Sequence, residues 1–559
     1  MTRHTLPALF LPLACVLICG QSRADDLAAK MDQYMQVSSR VDHFMGSVLV
    51  AQHGRIILSK GYGMADLKLG IRNAPDTEFR IGSITKEFTA TAILELVARG
   101  KINVQDPVCK YIPNCPAAWR PIKIFNLLTH TSGIPDFTSF PNYLLIERQP
   151  ITPSGLLALF ENKPLNFKPG AKFSYSNSGY EVLGYIIERL SGDTYQEFLQ
   201  RNIFGPLGMR DSGYDLSHPV AKNHAVGYFY TPSGYQPVHF VNMTVPFSAG
   251  ALYSTVLDLY QWDRAVHAGK LLPKALLHQM LSPQVSVGGS LGGSHGAHYG
   301  FGWFVSTEFG RREISHEGGI EGFTSLNSWF PDDDAYVIVL DNVQSPAIFK
   351  VGDSLTAILF GQKYEIPKEY RPIKLAPETL QKFVGQYQLA PRFILTVRQQ
   401  GDQLIAQATG QGSLPIFPAS QTEFFFKLVD AQLTFVEDSQ GRVTGLVLHQ
   451  NGRDRPAKRI SATVPPPPKA LSLPVDVLKK YVGTYQLTPY FSLAVRLSGG
   501  HLVMQGTNQP SAPIYPKSQT EFFLTVVDAT ISFVENPRHE VTGLVLHQGG
   551  RDLPAKKIK

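Results

Sequence analysis

Hydrophobic and polar positions follow different rhythms in different parts of the chain. Near the start, Ser47-Val48-Leu49-Val50-Ala51 and Arg55-Ile56-Ile57-Leu58 flank Gln52-His53-Gly54. Two short β-branched runs around a glycine-containing turn predict a hairpin. Residues 323–330 and 335–340 repeat the pattern around the turn-forming Pro331-Asp332-Asp333-Asp334. Between these pairs lie longer helical runs at 86–99 and 180–190. Strands at both ends with helices between them predict one sheet assembled from distant segments, so residues 25–362 read as one domain of mixed α and β structure.

The last third changes character. Phe383-Val384-Gly385-Gln386-Tyr387-Gln388-Leu389 recurs as Tyr481-Val482-Gly483-Thr484-Tyr485-Gln486-Leu487, and Thr444-Gly445-Leu446-Val447-Leu448-His449-Gln450 recurs at 542–548. Each pair is offset by 98 positions, as are the Ser-Gln-Thr-Glu-Phe-Phe stretches that begin at Ser420 and Ser518. Short runs such as Phe393-Ile394-Leu395-Thr396-Val397 and Leu404-Ile405-Ala406 are broken by Gly, Asn and Asp, which predicts strands. Two copies are too few for a solenoid, so 375–460 and 473–559 read as two small all-β domains, each a barrel or sandwich. Val464-Pro465-Pro466-Pro467-Pro468 between them reads as an extended, semi-rigid spacer.

A length of 559 residues is too great for one core and fits roughly two to four domains. With 43% hydrophobic and 17% charged residues, neither disorder nor a membrane bundle is indicated. Residues 1–24 read as a secretory signal: Arg3, an apolar run over 6–20, then Ser22-Arg23-Ala24 as a small-x-small cleavage site. The alternatives are a membrane anchor and, more weakly, lipid attachment at Cys15. Cleavage would remove Arg3 and Arg23 and no acid, lowering the net charge of +7 by two. The remaining charge is mild and spread out, which argues against nucleic-acid binding. Export leaves Cys109 and Cys115, a pair that an oxidising compartment joins as a disulfide. No Cys-x-x-Cys spacing accompanies them to suggest a metal site.

Three short motifs carry the chemistry. Ser83-Ile84-Thr85-Lys86 opens a long apolar segment, and on a helix its Ser and Lys, three apart, share a face. Tyr175-Ser176-Asn177 and His316-Glu317-Gly318-Gly319 follow in that order. With Leu127-Leu128-Thr129-His130-Thr131-Ser132-Gly133-Ile134, Lys168-Pro169-Gly170 and Ser248-Ala249-Gly250-Ala251-Leu252, these motifs resemble the serine β-lactamase and DD-peptidase superfamily over about 40–345. The likeness is greatest to its class C-like branch of penicillin-binding-protein-like enzymes, D-aminopeptidases and carboxylesterases. It implies an α+β catalytic domain with an antiparallel sheet flanked by helices and a helical subdomain, ahead of two barrel-like, lipocalin-like accessory domains.

The resemblance also implies roles. Ser83 is the expected nucleophile, with Lys86 and Tyr175 as candidate bases; a Lys ammonium beside the phenol would favour phenolate, and a desolvated Lys could itself lose a proton. Asn177 would hold Lys86 and a substrate amide. The backbone N–H groups of Ser83 and Gly319 would form an oxyanion hole, with Gly318 allowing close substrate approach. His316 stands where the family often has Lys and could bind a substrate carboxylate or join a proton relay; an imidazole is not always charged at neutral pH, which disfavours selection for a penicillin-like carboxylate. His130 reads as structural. Two Gly-x-Ser-x-Gly matches at 288–296 lack the strand and helix of a nucleophile elbow and read as a glycine-rich loop.

The sequence thus predicts a periplasmic or secreted serine hydrolase, working through an acyl-enzyme on small-molecule or peptide amides or esters, with no metal or nucleotide cofactor. It would have no stable membrane span after signal cleavage, and the repeats could gate substrate or assemble copies of the chain. The alternatives are a carboxylesterase without peptidase activity and a binding protein that retains the fold.

Overall fold

The structure, a computed structural model, describes residues 13–558 other than 141, 217–222, 232–233, 289–297, 346, 428, 430, 451–452, 465–469, 489–490, 508–510 and 550, with side chains from residue 23. The prolines of the spacer, the first half of the leader and most of the glycine-rich loop therefore lie outside the described residues. The chain divides into two compact units, residues 1–138 with 145–369 and residues 139–144 with 370–559.

The first unit is built on an antiparallel sheet of eight strands: β1 (Gly46–Gln52), β2 (Arg55–Tyr62), β3 (Val285–Ser286), β4 (His298–Tyr299), β5 (Phe304–Glu308), β6 (Arg311–Ile320), β7 (Phe323–Phe330) and β8 (Ala335–Asp341). Their order is β3-β4-β5-β6-β7-β8-β1-β2. The first and last strands are neighbours, with Gly46 opposite Asp341 and Gln52 opposite Ala335. β8 is buried at every position and β1 at all but its last. A continuous apolar run without alternation means that both sheet faces are covered. On one face, helices α1 (Leu13–Val41) and α6 (Ala347–Leu359) pack Tyr34, Met35, Val351 and Leu355 onto Val48, Val50, Val337 and Val339.

Helix α2 (Thr85–Ala98) is buried from Thr85 to Leu96, on all sides. Its buried charges need partners. Glu87 accepts hydrogen bonds from Trp262 Nε1 (2.8 Å), on helix α5 (Val256–His267), and from Asn327 Nδ2 (3.2 Å) on β7; Asn327 also donates to Asp263 at 2.9 Å. Phe88 stacks on Trp262 with ring centroids 4.1 Å apart. Burial raises both carboxyls above the usual carboxylate range, with Asp263 adding to the shift of Glu87. At neutral pH the cluster therefore holds a proton and not two bare charges. Beyond α2, Cys109 and Cys115 are joined in a disulfide with Cα atoms 5.2 Å apart.

The second unit contains two closed eight-stranded barrels, each strand paired with the next and the last with the first. The strands run from Gly385–Ala390 to Arg453–Ser461 and from Gly483–Thr488 to Arg551–Lys557. Each barrel has its own core, with Phe383, Tyr387, Phe424 and Phe435 in one and Tyr481, Tyr485, Phe522 and Phe533 at the repeat-related places in the other. Closure removes the free sheet edges that a sandwich would leave.

A hydrogen-bonded chain of Ser532, His547 and Asp552 (3.0 and 2.6 Å) crosses three strands of the second barrel. It has the residue order of a hydrolytic triad. Asp552 is 77% exposed, however, and the first barrel builds the same tie from Thr434, His449 and Asp454. We read both as cross-strand ties. Among the described residues, no helix is long and apolar enough to cross a membrane.

Candidate active site

Ser83 lies in the tight turn Gly82–Ile84, immediately before α2. Gly82 takes φ +49°, and a Cβ on it would stand 2.8 Å from the backbone N of Gly319. The turn is thus pressed against β6, which brings the backbone of Ser83 and Gly319 together across a long sequence gap. The two glycines of β6 differ in what they allow. A Cβ on Gly318 would meet Ile81 O at 2.0 Å and Ser325 Oγ at 2.2 Å, so this glycine permits packing of the turn on the strand. Gly319 is exposed and has open space where its side chain would be.

Lys86 is the second residue of α2, one turn beyond Ser83, with no exposed surface. Its Nζ lies 2.9 Å from Ser83 Oγ, 2.9 Å from Asn177 Oδ1 and 2.8 Å from the carbonyl O of Ala249. Those contacts supply one partner for each of the three ammonium protons. Burial nevertheless drives its pKa down to about 7, opposed by the carboxyls of Glu181 and Asp136. A lysine there is neutral in a large fraction of molecules near pH 7, and can then accept a proton from the hydroxyl it touches.

Asn177 begins helix α3 (Asn177–Ser191). Its Nδ2 donates to Asp136 Oδ2 and Thr138 Oγ1, both at 3.3 Å, and its backbone N–H donates to Asp136 Oδ1 at 3.2 Å. These bonds assign the amide orientation that turns Oδ1 toward Lys86.

Tyr175 closes the other side, with Lys86 Nζ 4.9 Å from its ring centroid. Burial pushes its phenol well above the usual range, the neighbouring Ser83 hydroxyl acting the other way. Desolvation thus works against the phenolate that a neighbouring Lys86 ammonium was expected to favour. The ring stacks on His130 at a centroid distance of 4.2 Å.

His316 is 1% exposed, and both ring nitrogens are engaged. Nδ1 donates to the carbonyl of Glu317 (2.6 Å), so Nε2 must accept from Tyr299 OH (3.0 Å). The Tyr299 oxygen in turn faces His130 Nε2 at 3.3 Å, and His130 Nδ1 accepts from the backbone N–H of Ser176 at 3.1 Å. Burial first, and Lys86 second, lower the His316 pKa to about 3. It is a neutral, fully bonded ring in this geometry, without the charge that would hold a substrate carboxylate.

The structure thus gathers Ser83, Lys86, Tyr175, Asn177, His316 and Gly319 into one site. Sequence reasoning missed Asp136, Glu181, the Ala249 carbonyl and Tyr299. Asp136 follows the Thr129–Ile134 stretch by two residues, and Ala249 lies inside the Ser248–Leu252 stretch, so both had a local signal. Tyr299 and Glu181 had none.

The family model described as Beta-lactamase matches residues 31–358. A domain of unknown function, DUF3471, matches twice, at 370–459 and 467–557. Penicillin-binding protein 4* of Bacillus subtilis is 29% identical over 449 residues, covering 74% of this chain and 95% of that protein. Among solved structures, the octameric penicillin-binding protein homologue from Pyrococcus abyssi has a TM-score of 0.57 at 25% identity, over 77% of this chain and 99% of its own. A D-stereospecific amidohydrolase from Streptomyces has a TM-score of 0.50 at 26% identity, over 57% of this chain and 97% of its own.

Proposed function

The chain belongs to the beta-lactamase family, a family of serine hydrolases, and from that premise we propose that it hydrolyses amide or ester substrates through an acyl-enzyme on Ser83. The observation that carries this reading is the 2.9 Å contact between Ser83 Oγ and a buried Lys86 Nζ whose pKa lies near 7.

In the proposed first step neutral Lys86 accepts the Ser83 proton as Oγ attacks the substrate carbonyl. The oxyanion is held by the N–H groups of Ser83 and Gly319, and the positive end of α2 adds to its stabilisation. Tyr175, protonated and beside both Ser83 and Lys86, passes the proton to the leaving amine or alkoxide. Water then releases the acyl group by the same path reversed. Asp136 and Thr138 position Asn177, which fixes Lys86 and presents its amide to the substrate.

Two features bear on substrate class. Neutral His316 gives no cation for a substrate carboxylate, and Glu317 stands close enough to Tyr175 to raise its phenol. Both favour neutral esters, or amides of amino acids with a free amine, over penicillins. A relative named a D-stereospecific amidohydrolase supports trying D-configured amides first. An esterase without peptidase activity is the second reading, and a substrate panel separates the two: a D-amino-acid amide, a D-Ala-D-Ala peptide, a β-lactam and a short chromogenic ester. Replacing Ser83 with Ala should abolish labelling by a fluorophosphonate probe; a mutant still labelled at another residue would overturn the assignment.

Export to the periplasm or medium is part of this proposal, supported by the Cys109–Cys115 disulfide. So are the boundaries at 24, 362, 375–460 and 473–559. An octameric relative makes self-assembly worth measuring.

A further inference from the structure

Away from Ser83, one group of side chains has the composition and spacing of a cation site. Glu147 follows the short helix Tyr143–Ile146, His239 lies in the segment after the strand Gly234–Pro237, and Glu321 sits in the turn between β6 and β7. Each offers one ligand atom, and these atoms lie within 4.8 Å of one another. It is the one such group of His, Cys, Asp and Glu among the described residues.

A second, independent observation points to a ligand at this place. Glu147 has no exposed surface, and its Oε2 receives no hydrogen bond from any donor, although the Glu321 carboxyl stands close to it. Its other oxygen faces His239 Nε2 at 2.8 Å. Oxygens of two carboxylates and one imidazole nitrogen thus converge on a point that water does not reach freely from the Glu147 side. Leaving a carboxylate oxygen buried and unpaired is costly, and a positive charge at the centre removes that cost.

We propose that Glu147, His239 and Glu321 bind one divalent transition-metal ion, with Zn²⁺ the best fit. The imidazole disfavours Mg²⁺ and Ca²⁺, and three protein ligands leave a fourth, tetrahedral position to water. His239 would ligate through Nε2, its ring proton moving to Nδ1. The role is structural. The ion ties the tip of the β6–β7 hairpin, two residues beyond Gly319, to segment 239–242, which already holds Glu147 through a 2.7 Å bond from Asn242 N–H to the Glu147 carbonyl. It would thereby steady the strand that presents the Gly319 N–H.

The test uses the full-length, tag-free chain, stripped with chelator and titrated with Zn²⁺ by calorimetry. One equivalent should bind per chain and raise the melting temperature. X-ray absorption at the zinc edge should show only nitrogen and oxygen neighbours at roughly 2.0–2.2 Å. Glu321→Gln and His239→Gln, both at partly exposed positions, should fold normally and weaken binding by more than about tenfold. No stoichiometric binding would overturn the proposal and leave a proton shared between the two carboxyls as the occupant. Unchanged binding in both variants would overturn it too, placing the zinc on other histidines.

Discussion

Tyr299 donates its hydroxyl proton to Nε2 of His316 and faces His130 Nε2, bridging two rings whose tautomers are set by the Glu317 carbonyl and the Ser176 N–H. His316 and Tyr175 both lean on this bridge, one by hydrogen bonding and one by stacking. Tyr299→Phe should therefore act by misplacing His316 and Tyr175, without removing a group that touches substrate. We expect kcat to fall about tenfold with KM little changed and the probe still reacting at Ser83. A loss of folding, seen as altered near-ultraviolet circular dichroism, would show that Tyr299 serves the core alone.

The pH profile should report Lys86. If its neutral form is the base, kcat/KM on a neutral ester rises with pH and levels off above about 7. Lys86→Arg keeps the charge and loses the titration, so activity should drop by about three orders of magnitude and the acid limb should vanish. An unchanged limb in an active Arg variant would transfer the base role to another group.

Gly82, Gly318 and Gly319 predict a graded series. Gly318→Ala must displace Ile81 or Ser325 and should destabilise the fold most. Gly82→Ala forces a side chain into a left-handed backbone and against Gly319, so it should cost both stability and about a hundredfold in rate. Gly319→Ala has open space and should fold like the parent, its effect confined to substrate approach. Thermal melts alongside ester kinetics separate the three.

Stability should fall as pH rises above the usual carboxylate range on account of the buried Glu87–Asp263 pair. The folded pKa values of the pair are raised above the unfolded ones, so there the folded chain keeps a proton that the unfolded chain has released. Asp263→Asn removes one of the two titrating carboxyls and should reduce this slope without abolishing it, as urea melts at several pH values would reveal.

The Cys109–Cys115 loop is short, and its closure should contribute about 2 kcal/mol by restricting the unfolded chain. Cys109→Ser with Cys115→Ser should lower the melting temperature by a few degrees, and added reductant should lower the parent to match. A parent insensitive to reductant would mean that the bond is not formed in solution.

Much of this architecture was legible in the pattern of apolar residues. The hairpin at 47–58, the buried run at 335–340 and the repeat register, kept strand by strand in both barrels, follow from continuous or alternating apolar positions and from self-similarity. Whether the repeats formed barrels or sandwiches was not legible, because ring closure depends on pairing between the first and last strands, which leaves no local mark. At the candidate site, short motifs placed Ser83 with Lys86 and Tyr175 with Asn177 because helix and turn spacing are local. The lowered pKa of Lys86 was foreseen only as one alternative, and the downward shift at His316 and upward shift at Tyr175 were not readable, since all three come from burial by segments far away in sequence. Tyr299 was hidden for the same reason: it stands beside a glycine-rich loop, and only the sheet brings it to His316.

The pairing of Gly46 with Asp341 has a temporal consequence. A chain emerging from the ribosome or an export channel exposes β1, an apolar strand, long before β8 exists to lie beside it. Until then β1 has only β2 as a neighbour, and one edge of that hairpin is bare and adhesive. The sheet around Ser83 can therefore be completed only after the second half of the chain has begun to appear, and slowing synthesis between residues 62 and 335 prolongs the time for which that edge stays bare.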